Sequence, residues 1–203
     1  MGLQGHYWPE WRFSAIRDFT KQFQSNTMTV DEFIAFIKKS GQHDCLYHFT
    51  DKSNFEQIDK LGLVSKERKR KDGWWPNTTG GNDWSHDQDR ARGIDPYVSL
   101  CFTSNHPMKY LAHNDGRLPN PRYLVISPEV LRIPGVHIAF GVANANDTEI
   151  LALSDALAHL DIEVIYTRTN WSDPEIQRRL RAAEKMQVLV PHGVPRDLIL
   201  GYR

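Results

Sequence analysis

Trp171-Ser-Asp-Pro-Glu-Ile-Gln-Arg-Arg-Leu-Arg-Ala-Ala-Glu-Lys-Met-Gln187-Val-Leu-Val-Pro191 is the stretch whose reading decides the fold. Asp173 reads as a helix N-cap, with Pro174 at the first helical position and Glu175 adding negative charge where the helix dipole favours it. Arg178, Arg179 and Arg181 then form a basic helical face. After Lys185 the pattern becomes Met-Gln-Val-Leu-Val, a short apolar run stopped by Pro191, which predicts a buried strand. A basic helix thus delivers one polar side chain, Gln187, to the start of an apolar strand. The plain structural reading is a surface helix before a core strand, with Gln187 hydrogen-bonded at its edge.

The chain has 203 residues, the size of one domain or of one domain with an extension. At 40% hydrophobic residues it can bury a proper core, and 25 basic against 25 acidic side chains leave no net charge to draw a nucleic acid. Any such binding must come from local basic patches. Cys45 and Cys101 both sit in apolar runs, which predicts buried free thiols and fits a reducing cytoplasm. No signal-peptide pattern and no apolar run near membrane-spanning length is visible, so a cytoplasmic protein without a membrane partner is expected. Six Trp and seven Tyr are many for this length and serve either as core or as stacking surfaces for bases.

Residues 1–44 read as a helical extension. Phe13, Ile16, Phe19 and Phe23 recur at helical spacing, and Thr29 with Glu32 forms a candidate capping box for a second helix carrying Phe33, Ile34, Phe36 and Ile37, closed by Gly41. Residues 45–203 read as the main domain. Strands are expected at Cys45–Thr50, Tyr97–Phe102, Tyr123–Ile126, Val136–Phe140, Glu163–Tyr166 and Leu198–Leu200. Helices are expected at Ser53–Leu61, ending at Gly62, at Asn105–His113 and at Thr148–Leu160. Residues 66–96 read as a long polar loop holding the basic run Lys66–Lys71 together with Trp74, Trp75, Gly80, Gly81 and Trp84. Helices and strands alternate without a βαβ rhythm, which predicts an α+β fold with a mostly antiparallel or mixed sheet.

The residues exclude several chemistries. There is no P-loop, nucleophile elbow or H-E-x-x-H pair. The nine His are scattered without zinc-ligand spacing, so no metal is expected. Burial would raise the thiol pKa of both cysteines and disarm them as nucleophiles.

Three segments, in order, carry a family resemblance. Leu46-Tyr-His-Phe-Thr-Asp-Lys-Ser-Asn-Phe-Glu-Gln-Ile-Asp-Lys-Leu-Gly-Leu63 resembles the opening of the DarT family of nucleic-acid ADP-ribosyltransferase toxins: Tyr-His-x-Thr, an Asn, and a helix ending in Gly. Tyr97-Val-Ser-Leu-Cys-Phe-Thr-Ser-Asn-His-Pro-Met108 is similar to its Tyr-Val strand and Pro-Met turn. The Trp171–Val190 stretch resembles its Trp-x-Asp-Pro…Ala-Glu-Phe-Leu-Val segment. Residues 1–44 lie outside the resemblance.

The resemblance implies an ADP-ribosyltransferase fold, a split mixed sheet with flanking helices and NAD in its cleft. It implies transfer of ADP-ribose to a base of single-stranded DNA or RNA, and a toxin–antitoxin role in phage defence with a neutralising antitoxin protein. His48 and Thr50 fall in the nicotinamide-side pocket and Asn54 on an NAD-contacting Asn, with Tyr97 beside them. The family's phosphate-binding Arg corresponds to Arg90 or Arg92, whose guanidinium suits a diphosphate. Alone, His48 would read as a core histidine and these arginines as exposed loop residues. The family has a catalytic Glu where this chain has Gln187. Gln is nearly isosteric but carries no charge and cannot act as a base. Two explanations compete: a deliberate change that tames a toxic enzyme, which the intact flanking motif favours, and a natural inactive or reprogrammed member. In the second case the chain is a non-catalytic NAD- or nucleic-acid-binding module. Arg178, Arg179 and Arg181 are candidate phosphate-backbone contacts, and Trp171, Trp74, Trp75 and Trp84 candidate stacking surfaces. Nothing in these residues separates DNA from RNA, and the extension leaves room for a target such as adenine in mRNA.

Overall fold

The computed structural model describes residues 28–203. The helical pattern of Phe13 to Phe23 lies outside the described residues. Helix α1 (Val30–Lys39) begins with the expected capping box: Thr29 accepts from the Glu32 backbone N–H and Glu32 reaches back to that of Thr29. Its cap at the other end is Ser40 rather than Gly41, because the Ser40 hydroxyl donates to the Tyr166 carbonyl and fixes the exit in an extended conformation. Phe33, Ile34 and Ile37 are buried in the main core. The rings of Phe33 and Phe36 meet Tyr166 edge-on at 5.9 Å. Each of these side chains contributes about 1.5–3 kcal/mol by leaving water, which holds α1 to the domain.

The main domain is built on a seven-stranded sheet ordered β6-β5-β7-β3-β1-β4-β9. In chain order the strands are β1 (Leu46–Asp51), β2 (Leu63–Val64), β3 (Tyr97–Cys101), β4 (Pro121–Ile126), β5 (His137–Ala139), β6 (Ile150–Ala152), β7 (Gln187–Pro191), β8 (Gly193–Val194) and β9 (Ile199–Tyr202). Strands β2 and β8 form a separate antiparallel pair. Among the described residues every pairing is antiparallel. The helices beyond α1 are α2 (Phe55–Leu61), α3 (Lys66–Lys71), α4 (Asp83–Ala91), α5 (Pro107–Asn114), α6 (Leu153–Ala156), α7 (Ile162–Tyr166) and α8 (Pro174–Ala183). The α+β expectation holds. Cys45 and Cys101 are buried free thiols, and burial raises both pKa values.

One defect in the ladder positions the site. Strand β1 pairs with β4 along its whole length, and β3 pairs with β7 from Tyr97 to Cys101. Between β1 and β3 a single pair, Tyr47↔Cys101, is made. The sheet therefore splits beyond Tyr47, and the His48 ring takes the Ser99 carbonyl at 2.9 Å where a ladder bond would otherwise run. Gly62 ends α2 at φ +75, and a Cβ there would lie 2.3 Å from the Val194 carbonyl, so glycine is required at this crossing.

Three sequence expectations are corrected. Residues 66–96 are not one loop. Ser65 caps α3 and Asn82 caps α4, and Glu67–Lys71 and Arg68–Asp72 pairs one turn apart support α3. These helices lack an apolar stripe, so periodicity is silent about them. Glu163–Tyr166 lies in helix α7, not a strand, because the Asp161 carboxylate caps it by accepting from the Val164 N–H. Thr148–Leu160 is not one helix: strand β6 adds to β5, and only the short α6 follows.

Candidate functional site

Gln187 opens β7 with both neighbours in place, opposite Cys101 on β3 and Ala139 on β5. Strand register on two sides fixes the face of the sheet its side chain takes, and that face is the one the cleft opens on. It is buried at 8% exposure and lines the same cleft as His48, Thr50 and Ser99. Its Oε1 accepts from the Ala143 N–H at 3.1 Å, and its Nε2 lies 3.3 Å from His106 Nε2. Glu184, one turn earlier, lies outside the cleft and accepts from the Asn105 amide at 2.6 Å, so it does not stand in for a carboxylate at position 187.

His48 Nδ1 meets the Ser99 carbonyl, an acceptor, so Nδ1 carries the proton and Nε2 keeps a lone pair. Burial pushes the ring pKa down to about 4, so the imidazole is neutral. Thr50 and Tyr97 line the cleft. Asn54 also lines it, yet its amide is engaged by the protein. It donates to Thr50 Oγ1 at 3.0 Å and to the Thr78 carbonyl at 2.8 Å, and accepts from the Thr78 N–H at 3.3 Å. Asn54 thereby pins the 74–81 loop over the cleft, and Arg117 holds the far end of that loop through the Gly80 carbonyl.

The two arginines expected at the diphosphate lie elsewhere. Arg90 pairs with Asp87 on the outer side of α4. Arg92 donates to the carbonyls of Ala145 and Thr148, fastening the end of α4 to the loop that carries Ala143. Neither side chain lines the cleft, and its cations are Lys66 and Lys69. Lys66 is neutralised by Asp89. Lys69 makes no ion pair among the described residues. It lies 5.7 Å from the Trp74 ring, and burial and then Lys66 bring its pKa down to about 8. The sequence flagged this basic run but not its role, since only the fold of α3 turns Lys66 and Lys69 toward the cleft.

The basic face of α8 is largely committed. Arg179 makes a bidentate pair with Asp161 at 2.6 Å and reaches Glu163 at 2.9 Å. Arg178 pairs with Glu175. Arg181 is exposed and makes no ion pair among the described residues. Trp171 is exposed at the head of α8, away from the cleft, whereas Trp74 and Trp75 line it. Arg179→Ala is expected to lower stability by about 1 kcal/mol, the upper range for a part-exposed pair, with Arg181→Ala neutral. Thermal melts check this, and equal Tm values for the two variants would mean that the Arg179 clamp contributes nothing.

Two imidazoles, His48 lining the cleft and His106 buried behind it, are held near a pKa of about 4 by desolvation, against an ordinary value of 6.5. The unfolded chain therefore binds protons that the folded chain refuses. Their contribution to stability is complete above pH 6.5 and is lost as pH falls toward 4, at up to about 1.4 kcal/mol per pH unit for each ring. Melts between pH 7 and 5 are expected to show a falling Tm that a His48→Gln variant makes shallower.

Among the described residues no group of three His, Cys, Asp or Glu side chains could hold a metal ion, and no helix is long and apolar enough to cross a membrane. The sequence profile for "ssDNA thymidine ADP-ribosyltransferase, DarT" matches residues 47–201. The fold is similar to that of Thermus sp. 2.9 DarT in complex with ADP-ribosylated ssDNA, with a TM-score of 0.55 and 21% identity over 76% of this chain and 78% of that one. The same Thermus protein in complex with NAD+ gives a TM-score of 0.53 at 20% identity over the same shares of 76% and 78%. Thermosipho africanus DarTG in complex with ADP-ribose gives 0.58 at 17% identity, covering 76% of this chain and 42% of that one. No curated protein sequence matches. A split antiparallel sheet with a neutral histidine on one lip and position 187 two strands away in the same cleft, and a profile match that spans most of the chain, lead to one conclusion: the chain belongs to the DarT family of NAD-dependent ssDNA ADP-ribosyltransferases.

Proposed function

We propose that this fold transfers ADP-ribose from NAD to a base of single-stranded nucleic acid, and that glutamine at position 187 leaves the chain able to bind NAD but slow to turn it over. The observation that carries this reading is the placement of Gln187 at the head of β7, in one cleft with His48 and Thr50. In the reaction the bond between ribose C1′ and the nicotinamide nitrogen breaks, and nicotinamide leaves neutral with the electron pair. A nitrogen of the acceptor base bonds C1′ and loses its proton. Charge at C1′ peaks between these events, as in glycoside hydrolysis. A carboxylate at position 187 would bond a ribose hydroxyl, stabilise that charge and take the proton, whereas an amide does the first alone.

The other residues divide the binding. His48 Nε2, with its free lone pair, accepts from the carboxamide or a ribose hydroxyl. Thr50 is held toward the same end by Asn54. Lys69 supplies the positive charge for the diphosphate, in place of Arg90 and Arg92. NAD affinity is then expected to fall as pH rises from 7 through 8 to 9, because Lys69 loses its proton there. Lys69→Met should weaken binding at pH 7 by about tenfold and flatten this profile. Calorimetry at three pH values decides it, and a parent protein whose affinity is flat with pH would remove Lys69 from the diphosphate.

On the acceptor side, Trp75 at the cleft and exposed Trp84 present rings for unpaired bases, and Arg181 the charge of α8 that has no ion pair among the described residues, with Arg178 beside it paired to Glu175. An acceptor inside a duplex would be out of reach, so a single strand is required. The family description names thymidine in ssDNA. The test of function is the Gln187→Glu protein with labelled NAD and a panel of single-stranded DNA and RNA oligonucleotides, in which the labelled base identifies the acceptor. A cytoplasmic toxin of this kind requires a neutralising partner protein, and co-expression is expected to become necessary once the carboxylate is restored. If the Gln187→Glu protein binds NAD and oligonucleotide but labels none, the chain is a binding module.

A further inference from the structure

We propose that His106 is a positioning residue for the side chain at position 187, and that the pocket there is cut for a carboxylate, because it presents two hydrogen-bond donors to that side chain. The inference rests on the reading of position 187 as the catalytic position.

The argument turns on which atoms can donate. The Met108 backbone N–H points at His106 Nδ1 at 3.2 Å. A backbone N–H only donates, so Nδ1 holds a lone pair and the ring proton of neutral His106 sits on Nε2. That Nε2–H faces the Gln187 amide nitrogen at 3.3 Å, which is also a donor. Turning the amide over does not help. Its oxygen would then meet His106, but its NH2 would face the Ala143 N–H that the oxygen now satisfies at 3.1 Å. Either orientation of glutamine sets donor against donor, and a carboxylate, with two acceptor oxygens, answers both. The Lys185 carbonyl is a further acceptor beside the ring, provided by the backbone whatever stands at position 187.

His106 itself is rigidly placed. It is 2% exposed, its own N–H donates to the Tyr123 hydroxyl at 3.0 Å, and Pro107 follows it at the start of α5. The Phe49 ring packs on it at 5.7 Å between centroids. It does not line the cleft, so it touches position 187 from behind and not the substrate. Such a contact fixes the rotamer of the carboxylate and leaves its second oxygen, shared with Ala143, aimed by the loop that Arg92 anchors. Buried polar groups facing like partners gain no hydrogen bond from that contact, and the His106 ring keeps only its Lys185 acceptor. This makes glutamine a replacement in a pocket shaped for glutamate, not the residue the pocket was built around.

Two measurements test the proposal. The first is the His106 ring titration, followed by nitrogen shifts in the chain as given and in Gln187→Glu. A carboxylate accepting from Nε2–H should raise the ring's protonation constant tenfold or more, whereas a merely structural ring would not respond. The second is kinetics in the Gln187→Glu background. His106→Leu should lower kcat by about 10²-fold with little change in KM for NAD, the size of effect that a misplaced catalytic group produces. His106→Gln, whose amide donates from a similar place, should recover most of the loss, and Tm values identify any variant that merely unfolds. An unshifted titration overturns the proposal whether or not Gln187→Glu is active. So does an active Gln187→Glu protein whose kcat is unchanged by His106→Leu. No turnover in Gln187→Glu with a shifted titration would instead sink the catalytic reading and leave the contact standing.

Discussion

Replacing Gln187 by glutamate is expected to raise ADP-ribosyl transfer by at least about 10²–10⁴-fold, with little change in NAD affinity. The frame that delivers this residue is complete. Asp173 caps α8 by accepting from the Glu175 N–H at 2.8 Å, Pro174 opens the helix, and Val188, Leu189 and Val190 are buried between β3 and β5. The change therefore alters chemistry and not position. Gln187 can hydrogen-bond a ribose, so ground-state binding survives. The charge that stabilises the C1′ centre and the base that accepts the proton act mainly in the transition state, which is where an amide fails. Single-turnover assays with labelled NAD separate these terms, since kcat should move and the apparent dissociation constant should not. Equal labelling by the two proteins would show that position 187 carries no catalysis. Expression of the Gln187→Glu protein should also arrest cells that lack a neutralising partner.

His48→Ala is expected to weaken NAD binding by about 1–3 kcal/mol, or roughly 5- to 150-fold, in both the Gln187 and Gln187→Glu backgrounds. His48 stands where the sheet splits and its Nδ1–H closes on the Ser99 carbonyl at 2.9 Å, so one bond fixes both the ring and its tautomer. Removing the ring takes away the Nε2 lone pair and leaves the Ser99 carbonyl without its partner. His48→Gln keeps an amide near both places and should lose less. Calorimetry measures the order, parent tightest, then glutamine, then alanine. NAD affinity that ignores all three would place the nicotinamide end elsewhere in the cleft.

Local chemistry made much of the architecture legible from the sequence. The Thr29–Glu32 capping box, the Asp173–Pro174 start of α8, the stop at Gly62 and the apolar runs of β1, β3, β4 and β7 are each set by near neighbours in the chain. The family resemblance, not strand patterning, singled out His48, Thr50 and Gln187, since β1 and β7 show no clean alternation and these residues read alone as core or strand-edge positions. Tertiary structure alone decided the rest. Glu163–Tyr166 is apolar enough for a strand, but the Asp161 cap and the packing of Phe33 and Phe36 on Tyr166 make it a helix. Helices α3 and α4 carry no apolar period and are held by caps and ion pairs, which pattern reading passes over. The arginines could be counted but not placed. Arg179 is claimed by Asp161 and Arg92 by two carbonyls, partners that lie 18 and more than 50 residues away in sequence, and Lys69 is left as the cleft cation with no ion pair among the described residues. His106 gave no signal of its own, since its meaning lies in the parity of donors and acceptors around position 187. That parity exists only once residues 81 apart in the chain have been brought to 3.3 Å.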